Sequence, residues 1–404
     1  MIFIMAWRNI WRNKMRSLVI ILSVAIGLFA GLMVLALYKG MLRGRVRTVI
    51  DAEAGHIQIH DSNFKKDYEP FFILKDGNNI ISQLNKIPQI KTIATRSITQ
   101  GMLSTTTGSA GIQINGIIPE IENDASRLNK KIIEGNEFNK QKKNEVLIGK
   151  KLADKMKLKL GNKLVLTFID SAANMVSGAF RVAAIYRSDN TPLDERNVYI
   201  RQNELNELLT IGNNYHEIVI LLNKDEETET IKQQLQKQFP SCQVESWRDI
   251  SPETELMVNT VDTYSYIIII IILFALAFGI INTMLMAILE RTREIGMMTA
   301  LGLNKLRMFT LVLLETIFLT IAGTPVGLLA SWLLVNYYNK HGLDWSGMGK
   351  EMMGSFGFST TIYPEFPTDR ILAVMIIVIG TALLSCLFPA IKALRLQPVD
   401  ALRK

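Results

Sequence analysis

Four long apolar blocks, interrupted by one long mixed stretch and two short polar ones, set the plan of the chain. Ser17–Tyr38 and Ile267–Leu289 carry no charge, Met308–Tyr338 carries a single acid, Glu315, and Ile371–Ile391 again carries none. Each is long enough to cross a bilayer, which takes about 20 residues. The first block exceeds a secretory h-region, and Lys39, Arg43, Arg45 and Arg47 follow it instead of a small-residue cleavage site, so it reads as a retained span. Ahead of it, Phe3, Trp7, Ile10 and Trp11 share one helical face and Arg8, Arg12 and Arg16 another, which predicts a helix lying in the membrane interface.

Between the first two spans the period changes. Gly55–His60 alternates like a strand, Asn78–Ile87 has helical spacing, and Ile90–Thr106 and Gly111–Ile117 are β-rich. Asn144–Leu158 begins as a strand and turns helical, Ala179–Arg187 and His216–Leu222 read as strands, and Glu226–Phe239 as an amphipathic helix. The alternation predicts two small α/β modules, the middle one (about 115–205) inserted into the other. Lys39–Asp51 and Thr254–Tyr266 read as helical continuations of spans 1 and 2. The fold class is therefore an α-helical membrane domain of four transmembrane helices plus a large extracytoplasmic α/β domain.

The resulting division is an interfacial helix at 1–16, a span at 17–38, the external domain with its stalks at 39–266, and a span at 267–289. A charged helix and loop follow at 290–307, then a span at 308–338, a short Gly-rich loop at 339–370, a span at 371–391 and a tail at 392–404. Lys and Arg cluster before span 1, between spans 2 and 3 and after span 4, which parity puts on one side, so both termini are read as cytoplasmic. The cluster at Lys39–Arg47 opposes this locally, but the rule weakens beside a long translocated domain.

Charge and composition then narrow the chemistry. The formal net charge is +8, most of its excess beside the membrane, which suits lipid headgroups rather than nucleic acid. No Gly-x-x-x-x-Gly-Lys-Ser/Thr phosphate loop occurs: Gly149-Lys150 and Gly349-Lys350 lack both the first Gly and the hydroxyl residue. His56 and His60 share a strand face with Gln58, yet no acid or Cys completes a metal set. No catalytic triad stands out among four histidines, and Cys242 and Cys386 fall in different compartments. Neither catalytic residues nor a metal is expected.

Two Gly-x-x-x-Gly spacings, Gly27/Gly31 and Gly323/Gly327, allow close helix approach, either as a dimer seam or within one subunit. Glu315 lies near the cytoplasmic end of span 3, where Arg291, Arg293 or Arg307 could pair with it; a proton relay is the competing reading. Ile288–Gly302 reads as a short charged helix: Glu290 and Arg293 are spaced i,i+3, Ile295, Met297 and Leu301 make an apolar ridge, Arg291, Glu294 and Met298 flank it, and Gly302 suits a C-cap. Such a helix fits a groove on a partner protein; a plain re-entry loop is the alternative.

Glu290–Leu329 resembles the coupling region and third span of ABC permeases of the macrolide-exporter, FtsX and lipoprotein-release type. Ala6–Gly27 resembles that family's amino terminus, Phe388–Arg403 its ending, and NEVLIGKKLADKMKLKLGNKLVL its MacB-like periplasmic core domain. The resemblance implies a non-catalytic permease subunit of the bacterial inner membrane. It would pair with a second permease, identical or paralogous, on separate ABC ATPase subunits that hold ATP and Mg, and no cofactor would sit on this chain. The family's coupling helix maps to Glu290, Arg291, Arg293, Glu294, Ile295, Met297, Met298, Leu301 and Gly302. The length, AWRNIWRNK and GHIQIH look most like lipoprotein-releasing permeases, whose cargo would be an acylated lipoprotein passed to a periplasmic carrier. Met33, Leu37, Met41, Met257 and Ile268 would line its path. An efflux permease with a periplasmic adaptor and an FtsX-like regulator of a cell-wall hydrolase are the alternatives.

Overall fold

The computed structural model describes the chain apart from residues 1, 13, 140, 291, 294–296, 298–303, 369 and 395–404. It divides into a helical unit, Met1–Met41, Asn259–Leu343 and Ile362–Lys404, and an α/β unit, Leu42–Val258 and Asp344–Thr361.

The helical unit is built from α1 (Ile2–Arg12), α2 (Lys14–Val49), α12 (Pro252–Glu290), α13 (Lys305–His341) and α15 (Ile371–Leu394), where α2 and α12 run on into the other unit. Among the described residues four helices are long and apolar enough to cross a membrane: Ser17–Ala52, Pro252–Glu290, Leu306–His341 and Ile371–Lys392. Helices suit this setting because they satisfy every backbone group within one segment. Side chains four apart stack on one face, so Ile20, Val24, Leu28 and Leu32 of α2 form a buried stripe with Ile280 and Met284 of α12, Leu319 of α13 and Val378 and Ala382 of α15. Opposite faces stay apolar and exposed, as at Phe274 and Phe278.

Close approach decides how α13 packs. A Cβ on Gly323 would fall 2.8 Å from the Ile21 carbonyl, and one on Gly327 2.6 Å from that of Ala25, so the bare backbone of α13 lies against α2. Thr316, Thr320, Thr324 and Ser331 donate to the carbonyls four residues back, which hides their hydroxyls from lipid. A Cβ on Gly27 would lie 3.1 Å from Leu276 Cδ1 of α12, while one on Gly31 would have open space. The Gly323/Gly327 spacing thus packs within one chain. The face expected on α1 divides: Ala6 and Ile10 are buried, whereas Phe3, Trp7 and Trp11 stay exposed, with Phe3 and Trp7 edge-on to Phe318 at 4.7 and 5.7 Å.

The α/β unit contains β1 (Ile57–Asp61), α3 (Phe64–Asp67), α4 (Gly77–Leu84), β2 (Ile90–Thr105), β3 (Gly108–Ile117), α5 (Pro119–Ser126), α6 (Leu128–Lys131) and β4 (Ile132–Gly135). It continues through β5 (Glu145–Gly149), α7 (Lys150–Lys155), β6 (Lys163–Ile169), β7 (Met175–Tyr186), α8 (Thr191–Arg196), β8 (Asn197–Arg201) and α9 (Gln202–Leu209). Then follow β9 (Glu217–Leu222), α10 (Thr228–Gln238), β10 (Cys242–Ser246) and α11 (Trp247–Ile250). Among the described residues its strands form one sheet in the order β10-β1-β9-β2-β3-β8-β5-β7-β4, with β6 pairing β2 and β7.

That single sheet spans both regions read from the sequence as modules. Two cores lie on it: one from Ile57, Ile59, Ile80, Leu84, Ile218, Ile220 and Leu235, the other from Leu103, Ile114, Val146, Leu152, Leu166, Phe180, Ile200 and Leu205. The strand β2 serves both, pairing β9 through Arg96 and β6 from Gly101 to Ser104. No linker separates the two halves.

The loop after span 3 is also more structured than its glycines suggest. It carries β11 (Leu343–Asp344), α14 (Lys350–Ser355) and β12 (Thr361–Ile362), and residues 344–361 group with the α/β unit. Gly354 permits a close approach, since a Cβ there would lie 2.6 Å from Thr191 Oγ1.

Candidate functional site

The outer ends of α2 and α12 are built into the sheet. At Ile50 the α2 helix changes to a π-turn, Ile50–Ala54, closed by Gly55 N donating to Ile50 O at 3.0 Å. Isolated π-turns inside helices are frequent at functional sites. Gly55 has φ +64°, and a Cβ would fall 2.5 Å from Val219 Cγ1, so only glycine lets the chain drop directly into β1. Val49, Ile50 and Ala54 then pack with Ala94, Ala125, Val219, Leu221 and Trp247, and Val46 and Val258 join the edge of this cluster. Both stalk bases therefore share one apolar seat on the sheet. On the other side, Ser246 and Asp249 form a capping box that starts α11, ahead of Pro252 and α12.

Charges buried beneath that seat are paired. Lys131 Nζ donates to Asp51 O at 3.1 Å, tying α6 to the π-turn; burial pulls its ammonium pKa down, against Asp51 and Glu122, which act to raise it. Arg96 on β2 holds Glu122 on α5 through two bonds, Nη2 to Oε1 at 2.7 Å and Nε to Oε2 at 3.1 Å, and lies 3.6 Å from Glu217 on β9. Burial would raise the Glu122 carboxyl, but the Arg96 guanidinium overrides it and holds it below the ordinary range. His216 is buried as a neutral ring: Nδ1 accepts the Ile98 amide at 2.9 Å, Nε2 lies 2.9 Å from Pro70 O, and burial lowers its pKa to about 4.

His56 and His60 take acids as partners. His56 Nε2 lies 2.8 Å from Asp225 Oδ1, and His60 Nε2 lies 3.1 Å from Glu245 Oε2, which Lys65 also contacts at 2.8 Å. The His60 and Lys65 contacts hold the Glu245 carboxyl down at about 2 against its desolvation. No group of three His, Cys, Asp or Glu capable of holding a metal occurs among the described residues. A cavity of about 940 Å³ opens in the same unit, lined among others by Lys130, Lys131, Arg187, Asp194, Glu351 and Phe358. There burial raises Asp194 to about 6, although Ser188 hydrogen-bonds it.

The sequence-derived coupling residues are only partly in view. Arg291, Glu294, Ile295, Met298, Leu301 and Gly302 lie outside the described residues. Glu290 ends α12 and is exposed, Arg293 is helical, and Met297 is helical and half exposed. α13 restarts at Lys305 with Asn304 as its cap, the Asn304 side chain accepting from Leu306 N at 3.3 Å. Glu315 is buried at 6% exposure and engaged, next to Thr316, whose Oγ1 lies 3.0 Å from Cys386 Sγ. Met33, Leu37 and Met41 follow one another at four-residue spacing on α2, all half buried. Met257 and Ile268, also half buried, are eleven residues apart on α12, about 16 Å along the helix.

Four helices long and apolar enough to cross a membrane, the first two of which run on toward an α/β sheet, define a polytopic membrane protein. A family model described as FtsX-like permease C-terminal matches residues 266–398, and one described as MacB-like periplasmic core domain matches residues 17–238. The chain belongs to this family of ABC transporter permeases.

Its relatives include the ABC transporter permease YtrF of Bacillus subtilis, 30% identical over 32% of this chain and 29% of that protein. The lipoprotein-releasing system transmembrane protein LolE of Haemophilus influenzae is 22% identical over 36% of this chain and 35% of that protein. The macrolide export ATP-binding/permease protein MacB of Rhodopirellula baltica is 31% identical over 31% and 16%. The aligned segments thus span about a third or less of these relatives. The crystal structure of the periplasmic region of MacB from Actinobacillus actinomycetemcomitans aligns with 49% of this chain and 92% of its own length, at 15% identity and a TM-score of 0.35.

Proposed function

We propose that the chain is the permease subunit of an ABC transporter that lifts acylated lipoproteins out of the outer leaflet of the bacterial inner membrane. The observation that carries the mechanical part is the seating of both stalk bases, Val46–Ala54 and Trp247–Val258, in one cluster on the sheet. A displacement entering along α2 or α12 would reach the sheet through these two bases. In this reading ATP and Mg belong to a separate ATPase, which docks on Glu290–Gly302 from the cytoplasmic side, where both termini also lie. A second permease, identical or paralogous, completes the membrane unit, and a periplasmic carrier receives the cargo. The cargo reading is supported by AWRNIWRNK, by GHIQIH and by the likeness to LolE. The likeness to MacB keeps an efflux permease with a periplasmic adaptor as the second reading.

The test isolates the whole complex with a hydrolysis-dead ATPase and identifies by mass spectrometry what is bound. Acylated lipoprotein supports the reading; its absence, with a co-purifying adaptor or cell-wall hydrolase, sinks it. Docking is tested separately. Charge reversal at Arg291 or Arg293, or Gly302→Pro, abolishes ATPase co-purification while membrane insertion persists, and unchanged co-purification refutes the docking assignment.

A further inference from the structure

The cavity of about 940 Å³ in the α/β unit takes no part in the mechanical reading. Its walls carry more cations than the protein neutralises. Lys150 pairs with Asp154 at 3.1 Å and Glu134 at 3.3 Å, and Glu195 pairs with Lys155, which is not among the lining residues. Asp194 accepts the Ser188 amide at 2.9 Å and the Ser188 hydroxyl at 2.6 Å. Lys130, Lys151, Arg187 and Arg196 also line the space and make no ion pair among the described residues. The Lys131 ammonium bonds a carbonyl, Asp51 O, and no carboxylate. Against these five cations stand two lining carboxylates that lack a paired cation among the described residues, Asp189 and Glu351.

The fold sets this surplus around one open space. Lys130 and Lys131 end α6, Lys151 lies at the start of α7, Arg187 follows β7, and Arg196 ends α8. Gly149 brings α7 against α8, since a Cβ there would fall 2.0 Å from the Asp194 carbonyl. The Arg187 amide donates to Lys131 O at 2.8 Å, and both Asp194 oxygens accept the amide of Ser188, which fixes the turn that carries Arg187. Lys131 and Arg187 both act on Asp194, whereas Lys151 and Arg196 both act on Glu195, so the cations fall into two groups. Lys130, Lys151, Arg187 and Arg196 are exposed, which leaves their head groups within reach of a molecule in the cavity. The volume suits a small molecule. Two separate cationic groups are met together only by a ligand with more than one acidic group, and guanidinium forks match phosphoryl and carboxylate oxygens alike. Burial pulls the Lys131 pKa down, and an anion beside it would act the other way.

We infer that this cavity is a binding site for a small polyanion, one that carries two or more phosphoryl or carboxylate groups. One acidic group meets Lys131 and Arg187, and another meets Lys151 and Arg196. The site is independent of which cargo the permease carries.

The test uses the full chain in a neutral detergent and measures binding by calorimetry at matched ionic strength. The probes are inorganic tripolyphosphate, citrate, acetate and an oligoglutamate peptide. Tripolyphosphate or citrate binds saturably and acetate does not. The double variant R187Q/R196Q weakens that binding about tenfold or more, whereas K237Q, which removes one exposed charge from α10, stays within about threefold. E351Q removes an opposing carboxylate from the wall and tightens binding about twofold. Should R187Q/R196Q not fold, K130Q/K151Q replaces it, both side chains being exposed, and weakens binding in the same way. Tighter binding of tripolyphosphate assigns phosphoryl groups to the ligand, and tighter binding of citrate assigns carboxylates. The proposal is overturned if neither small polyanion saturates, or if K237Q loses as much affinity as the cavity variants. Oligoglutamate binding more tightly than both small polyanions also overturns it and makes the cavity a docking groove for an acidic protein segment.

Discussion

The two units solve the same problem, polar groups without water, in opposite ways. The α/β unit buries charges and pairs them, as Arg96 does with Glu122 and Arg201 with Glu145 at 3.1 Å. Among the described residues of the helical unit, the buried polar side chains other than Glu315 are hydroxyls, most of them turned back onto their own helix, and glycines lie tight against carbonyls. The difference follows from solvent. In the sheet unit a hydrophobic effect drives burial and can offset the desolvation of an ion pair. Between helices in lipid that drive is absent, so close packing and satisfied backbone must hold the fold.

The comparison breaks most sharply at Arg96. Arg96→Met leaves Glu122 and Glu217 buried without their cation, and a loss of about 3–5 kcal/mol follows, read as chemical denaturation of the full chain. Titration gives the next effect. His216 ionises near pH 4 in the folded chain and near 6.5 when unfolded, so the unfolded state binds the extra proton between those values. Its contribution is fully present above pH 6.5 and is lost as pH falls toward 4, on the order of 3 kcal/mol. The protection factors of the amides in β2 and β9, corrected for the intrinsic pH dependence of exchange, should fall over that interval, and His216→Gln should flatten the dependence.

Smaller effects probe the helical unit. Gly327→Leu forces α13 off α2 and costs about 1–3 kcal/mol, while Gly31→Ala, with open space around it, changes stability by less than about 0.5 kcal/mol. Melting in detergent separates the two. Least of all, Lys155→Ala removes the exposed pair with Glu195 and shifts stability by less than about 1 kcal/mol.

The helical unit was largely legible because runs such as Ser17–Tyr38 admit one reading, and β1, β9 and α10 were legible from their period. The strands β8 and β10 escaped notice for physical reasons. Asn197–Arg201 passes into α9 with no turn residue to mark the change, and Cys242–Ser246 carries polar residues between its buried ones. The continuity of the sheet was hidden because a sequence shows where strands begin and not which ones pair. Of the site, the charged stretch 290–302 was visible as a pattern. The seat of the stalks was not, since Ala54, Val219 and Trp247 meet only in the fold. Gly55 was the available clue, to a backbone turn.

The strand β2, sixteen residues long and shared by both cores, has a mechanical consequence. Extended over about 53 Å, it acts as a beam through the sheet. The two halves cannot pivot on each other without shearing a ladder that runs from Arg96–Ile117 to Thr105–Gly108. Compliance must therefore concentrate at the plate's margins, where Gly55 joins the first stalk to β1 and Ser251 joins α11 to the second. Stiffening either joint should impair the machine more than softening the plate.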